Sequence, residues 1–250
     1  MILFNPPNYM FKHTILIPQI YNVYFCLKYE LIMSNKVVVA GASGLIGSKL
    51  LNILLQQPGY DEILILVRNE LPIADKKLVQ LVIDFEKLDE YAGSITGHAV
   101  FCCLGSTTKK TPDLVEYRKI DHDYPVKLAQ LAKRNGVKQY HLVSAIGANS
   151  KSSNFYTKMK GETEVDIERL GLKCLHIYQP SVLTGGRKES RPAERFAIGL
   201  MKIIDPILIG GLKKYRSITA QTVALSMFNE SKKKEEGVFI HSSDKIKLLA

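Results

Sequence analysis

The 250-residue chain has no tryptophan and only four cysteines, Cys26, Cys102, Cys103 and Cys174. The cysteines lack metal-ligand spacing and three fall inside apparent strands, so they read as buried thiols in a reducing compartment, and a cytoplasmic location is expected. The six histidines, His13, His98, His122, His141, His176 and His241, show no ligand spacing either, which predicts no catalytic metal. Long apolar runs are also missing. Ile15–Ile17 and Val23–Leu27 are interrupted by Pro18, Gln19 and Asn22, and no small-residue cleavage site follows, so neither a membrane span nor a secretory signal is expected. The formal charge is +10, but its lysines are scattered or in short runs such as Lys109-Lys110, Lys213-Lys214 and Lys232–Lys234. Without an aromatic-interleaved basic stripe this is a solvated surface that draws in anionic ligands, and no nucleic-acid partner is expected. There is no internal repeat and no low-complexity segment.

What the chain does have is Val37-Val38-Val39-Ala40-Gly41-Ala42-Ser43-Gly44-Leu45-Ile46-Gly47. A buried parallel strand reads as a continuous apolar run, and the helix pattern that follows continues through Leu50, Leu51, Ile53, Leu54 and Leu55. Glycines between the two allow a tight turn and let a diphosphate approach the backbone, with free amides at the helix N-terminus facing the anion. The strand–turn–helix context makes Gly41, Ser43, Gly44, Leu45, Ile46 and Gly47 a dinucleotide-binding loop.

From Lys36 onward strands alternate with helices: strand 36–41, helix 45–57, strands 62–67, 78–83 and 98–104, helix 112–135, strand 138–144, helix 155–170 and strand 173–178. Pro125 is expected to break or kink the stretch 112–135. The alternation predicts an α/β fold, a Rossmann-type doubly wound parallel sheet with ligands at the carboxyl ends of its strands. From Gly185 on, helix-like pieces at 193–204 and 218–230 and the short run Gly237–Ile240 suffice for a small C-terminal substrate-side cap. Residues 1–33 do not resemble the rest. They read as an extension outside a single domain of residues 34–250, with the native start expected at Met33.

Arg68 ends the second strand, where this fold meets the adenosine ribose. A guanidinium there pairs with a 2′-phosphate, so NADP(H) is expected over NAD(H). Asp84 and Phe85 end the third strand, near the adenine. The fourth passes through Cys103 and Leu104 to Gly105, whose lack of a side chain would let backbone approach the ribose and diphosphate. The fifth strand delivers Ser144 at its carboxyl end, and Tyr156 and Lys160 stand four apart on one face of the next helix. This set suits hydride transfer at a carbonyl carbon. Tyrosine titrates near pH 10, too high for a base at neutrality, and a lysine ammonium stabilises the phenolate. Ser144 would hold the substrate oxygen, Tyr156 would be the acid/base, and Lys160 would also bind the nicotinamide ribose.

At these residues the chain resembles the short-chain dehydrogenase/reductase superfamily, in its extended and atypical branches. More narrowly it is similar to the Tat-interacting, metastasis-suppressor type of oxidoreductase and its bacterial relatives. The resemblance is carried by Cys102–Thr107, Ile120–Tyr124, Ser152–Tyr156 through Lys160–Glu162, and Glu189–Pro192, and spans most of residues 36–205. It implies NADPH binding with Ser144, Tyr156 and Lys160 as the triad. Two departures stand out. Asp121 occupies the position of an asparagine common in the superfamily, and Gln179-Pro180-Ser181-Val182 replaces an Arg-Pro, with Pro180 and Val182 still walling the nicotinamide. An NADP(H)-dependent oxidoreductase on a small carbonyl or alcohol is the leading reading. A NADPH-sensing regulator with a protein partner is the second, and a sugar-nucleotide epimerase or dehydratase, disfavoured by the short C-terminal region, the third. Homodimers through helices 112–135 and 155–170 are common in folds of this kind.

Overall fold

The structure, a computed structural model, describes residues 36–184 and 205–250. The extension expected over residues 1–33 and the helix-like piece expected at 193–204 lie outside those residues.

Lys36–Ala40 (β1) leads through the glycine turn into Leu45–Gln56 (α1), followed by Glu62–Val67 (β2), Leu78–Val82 (β3) and Ala99–Cys102 (β4). The helical stretch after β4 comes in two parts, Leu114–Arg118 (α2) and Tyr124–Arg134 (α3). Gln139–Val143 (β5), Phe155–Arg169 (α4) and Cys174–Gln179 (β6) complete the part read as alternating. Beyond it come Leu183–Thr184 (β7), Ile218–Thr219 (β8), Ala220–Ser231 (α5), Gly237–Ser242 (β9) and Ser243–Leu249 (α6).

Seven parallel strands form one sheet in the order β3-β2-β1-β4-β5-β6-β9, and β7 pairs with β8 in a separate two-stranded sheet. The winding reverses between β1 and β4, where Ala40 pairs with Cys102. A doubly wound sheet opens its ligand crevice at such a reversal, because the connections leave toward opposite faces. Leu50, Leu51 and Leu54 of α1 pack on one face together with Val223, Ala224 and Met227 of α5. Leu128, Leu131 and Ala132 of α3 and Ile167 of α4 pack on the other. The apolar spacing that reads as helix in the sequence is the spacing that meets the sheet.

The predicted helix 112–135 is not one regular helix. Between α2 and α3, residues Lys119–Asp123 form a π turn, and Pro125 falls in the first turn of α3. Backbone angles at Arg118 and Tyr124 stay helical, so the chain widens rather than breaks. Because the chain stays helical here, the N–H that Pro125 lacks would have met a carbonyl of the π turn, and the Asp121 carbonyl accepts the Thr163 hydroxyl. The run at Gly237–Ile240 becomes the edge strand β9, parallel to β6 from Cys174↔Gly237 to Gln179↔Ser242.

Candidate active site

Gly41 turns the chain out of β1 at φ +84°, and a Cβ there would lie 2.5 Å from the Cys103 carbonyl oxygen. The glycine loop therefore rests on the exit of β4. The Gly44 N–H donates to the Gly41 carbonyl at 2.9 Å, and a Cβ on Gly47 would collide with that same carbonyl. No side chain caps α1, and its first turn carries no acidic residue. Its leading N–H groups thus remain available to an anion. Ser43 and Gly44 are exposed, Leu45 is half-buried, and Ile46 and Gly47 are buried. Arg68 is exposed just past β2, with no ion pair among the described residues. Asp84 is exposed but already accepts from the Glu86 N–H at 3.0 Å as a helix cap, and Phe85 is buried against the Tyr124 ring at 5.6 Å.

The β4 exit meets the lysine of the predicted triad. A Cβ on Gly105 would stand 3.3 Å from Asp121 Oδ1 and 4.0 Å from Lys160 Nζ. Asp121 lies inside the π turn and is buried. Its Oδ1 pairs with Lys160 Nζ at 2.8 Å, and its Oδ2 accepts the Ser106 N–H at 2.7 Å. The Thr163 hydroxyl donates to its carbonyl at 3.1 Å. A π turn exposes backbone groups that a regular helix would use internally, and such turns recur at functional sites.

Helix α4 starts at Asn154, whose side chain accepts the Thr157 N–H at 3.2 Å. Tyr156, Lys160 and Glu164 follow at four-residue intervals, so they line one face. Next to Lys160, a Cβ on Gly161 would run into the backbone of Asn149 and Ser150, so only glycine lets the loop after β5 lie across the helix. Ser144 is buried at the end of β5, and its N–H donates to the Tyr178 carbonyl at 2.7 Å. The Ser144 hydroxyl donates to the Glu164 carboxylate, which also receives Gln179 Nε2 on both oxygens at 3.0 Å. Pro180 is buried beside this loop, taking the Ile146 N–H at 3.0 Å, while Val182 stays 49 % exposed.

Two expectations change. Burial lifts the Tyr156 phenol above its ordinary pKa, Lys160 pulls it down, and Asp121 raises it again, so the net shift is upward rather than downward. The lysine's charge is shared with a carboxylate that the Tyr-Lys spacing alone does not reveal. Burial works against the Lys160 ammonium, yet Asp121 and Tyr156 together hold its pKa above the usual lysine value. Glu164, which the sequence reading did not single out, joins this face by the same spacing carried one turn further and accepts the Ser144 hydroxyl. Burial raises its carboxyl pKa, against the opposing pull of Ser144, Gln179 and Lys160.

A family model described as NAD(P)H-binding matches residues 41–190. The chain belongs to this NAD(P)H-binding family. Protein HTATIP2 of Rattus norvegicus is 40% identical over 176 residues, which are 68% of this chain and 72% of that protein. Protein fmp52, mitochondrial, of Aspergillus clavatus is 31% identical over 229 residues, 87% of this chain and 95% of its own length. Among solved structures, MoeE5 in complex with UDP-glucose and NAD superimposes with TM-score 0.62 at 15% identity, covering 84% of this chain and 79% of that one. The UDP-glucose 4-epimerase of Thermotoga maritima gives TM-score 0.60 at 16% identity, covering 86% and 81%. At such identities these two share the fold.

The expected cytoplasmic location does not stand, because the fungal relatives are named mitochondrial proteins. Among the described residues Cys102, Cys103 and Cys174 are free thiols, which does not distinguish one compartment from another. No helix among the described residues is long and apolar enough to cross a membrane.

Proposed function

We propose that this NAD(P)H-binding protein is a reductase of the short-chain dehydrogenase/reductase type, preferring NADP(H) and acting on a small carbonyl compound. The observation that carries this reading is an unbroken run of contacts from the glycine loop to the acid. Gly41 packs on Cys103, and two residues on, Gly105 packs on Asp121 and Lys160, which stands one helical turn from Tyr156. The backbone of Gly41, Ser43, Gly44, Leu45, Ile46 and Gly47 would hold the diphosphate, and Arg68 the 2′-phosphate. Asp84 and Phe85 would border the adenine, and Cys103, Leu104 and Gly105 the adjoining ribose. Lys160 and Tyr156 would bind the nicotinamide ribose, with Pro180 and Val182 as the wall. These residues fit the cofactor: the loop is one a Cβ would fill, and the N–H groups of α1 are uncapped.

When bound, the reduced nicotinamide supplies the hydride that reaches the carbonyl carbon. Tyr156, protonated at neutrality as an ordinary phenol is, gives its proton to the carbonyl oxygen. To hold that oxygen Ser144 turns its single O–H, which the Glu164 carboxylate accepts here, toward the substrate. The decisive experiment is calorimetric titration of NADPH and, separately, NADH, followed by a carbonyl panel read by NADPH consumption. The expected result is tighter NADPH binding, and turnover that Tyr156→Phe abolishes while cofactor binding stays largely intact. Turnover unchanged in Tyr156→Phe refutes the mechanism. A protein inert to the panel whose affinity for a protein partner changes with NADPH is a regulator instead.

A further inference from the structure

Away from the candidate active site, β6, β9 and the end of α5 bring His176, His241 and Glu230 together, with one ligating atom from each within 4.8 Å of the others. All three are buried. We propose that they form a zinc site that ties the edge strand β9 and the end of α5 to β6. The residues lie 54 and 11 positions apart in the chain (230 − 176 and 241 − 230), which is why no ligand spacing shows in the sequence.

The donor set is of the right kind. Two imidazoles and a carboxylate with an open fourth position are a recurrent zinc environment. His176 Nδ1 faces His241 Nε2 at 3.0 Å, with the ring planes 10° apart. Zinc–nitrogen bonds of about 2.0–2.1 Å in a tetrahedron set the two nitrogens about 3.3 Å apart. The ion therefore needs the pair to open by only a few tenths of an ångström.

The surroundings fit as well. Cys174 Sγ lies 3.2 Å from Nε2 of His176, so the ring nitrogen that does not face His241 has its own partner. Holding that second nitrogen fixes tautomer and ring orientation, the usual outer support of a metal-bound histidine. His141 stacks on His176 with ring centroids 4.6 Å apart and blocks rotation from the inner side. Glu230 is 2 % exposed, and its Oε1 receives no directed hydrogen bond. What lies near it is the Lys233 ammonium, 2.7 Å away on a side chain 43 % exposed. A cation already balances this carboxylate, then, and that lysine is free to swing into water when a metal ion replaces it. An entry path exists too: Glu230, His241, Lys233, Lys245 and Leu248 line a cleft of about 310 Å³, wide enough for water to complete the coordination.

The test uses the full chain, stripped of metal with a chelator and then titrated with Zn²⁺ by calorimetry and with Co²⁺ by visible absorption. The expected result is uptake of one Zn²⁺ per chain at micromolar or tighter Kd, a higher Tm, and the visible bands of four-coordinate Co²⁺. Glu230→Gln and His241→Gln, each verified as folded by circular dichroism, should weaken Zn²⁺ by roughly a hundredfold or more, and Cys174→Ser by only about tenfold. Glu230→Gln keeps the shape of the side chain, so its loss of Zn²⁺ cannot be a loss of fold. No stoichiometric uptake by the wild type, or uptake that either glutamine variant leaves intact, overturns the site. Because NADPH binding is read separately, failure here leaves the cofactor reading untouched, and the reverse holds as well.

Discussion

Asp121 and Lys160 hold opposite charges where water scarcely reaches, with side chains 1% and 6% exposed. A buried ion pair adds little net stability, but removing one partner strands the other, at a cost of about 3–5 kcal/mol. Asp121→Asn keeps the shape of the side chain and removes the charge that balances Lys160. A chain of this size loses roughly 2–4 °C of Tm per kcal/mol, so a drop of about 10 °C is expected in thermal unfolding. An unchanged Tm would mean that the pair does not form. Glu164 offers a second check, through pH. Its folded pKa lies above its ordinary value of 4.5, so its contribution is complete below that value and fades as pH rises through the folded pKa. Glu164→Gln has no such titration. Relative to wild type it should therefore gain stability between pH 4 and pH 8, as read by denaturant midpoints at both pH values. A wild-type advantage that grows with pH would contradict the raised pKa.

The strands and most helices lie within a residue or two of where their apolar spacing puts them, because burial on both sides of a parallel sheet leaves a continuous signal. β2 is Glu62–Val67 in the sequence reading and in the structure alike. The glycine loop is equally legible, since two of its three glycines answer a collision: Gly41 with Cys103, and Gly47 with Gly41. Gly47→Ala should accordingly push α1 off the turn. A Kd for NADPH raised by at least about tenfold is expected in a protein that keeps its circular dichroism spectrum, since the first-turn amides lose their aim. Unaltered affinity would show that the diphosphate does not rest there. Less could be read where partners come from distant elements. Nothing local marks Asp121 as the partner of a lysine 39 positions later (160 − 121), and a π turn has no composition of its own. His176, Glu230 and His241 meet only after β9 has found β6.

The whole molecule carries a formal charge of +10, and its ligand crevice opens at the carboxyl ends of a parallel sheet, where uncapped amides of α1 add to the positive potential. Such a field attracts the cofactor in proportion to the cofactor's negative charge, and salt weakens it, the Debye length shrinking from about 10 Å at 0.1 M to about 3 Å at 1 M. NADPH carries one phosphate more than NADH. Its affinity should therefore fall more steeply as NaCl is raised, and if Arg68, exposed just past β2, reads the 2′-phosphate as proposed, it should account for most of the difference. In calorimetric titrations over a salt series, Arg68→Ala is expected to bring the NADPH slope close to that of NADH while leaving NADH binding nearly unchanged. Parallel slopes in the wild type would mean that the 2′-phosphate touches no charged group, and any preference for NADP(H) would have to come from shape alone. Steep slopes that survive Arg68→Ala would assign the phosphate to the lysine-rich surface as a whole, with no single residue reading it.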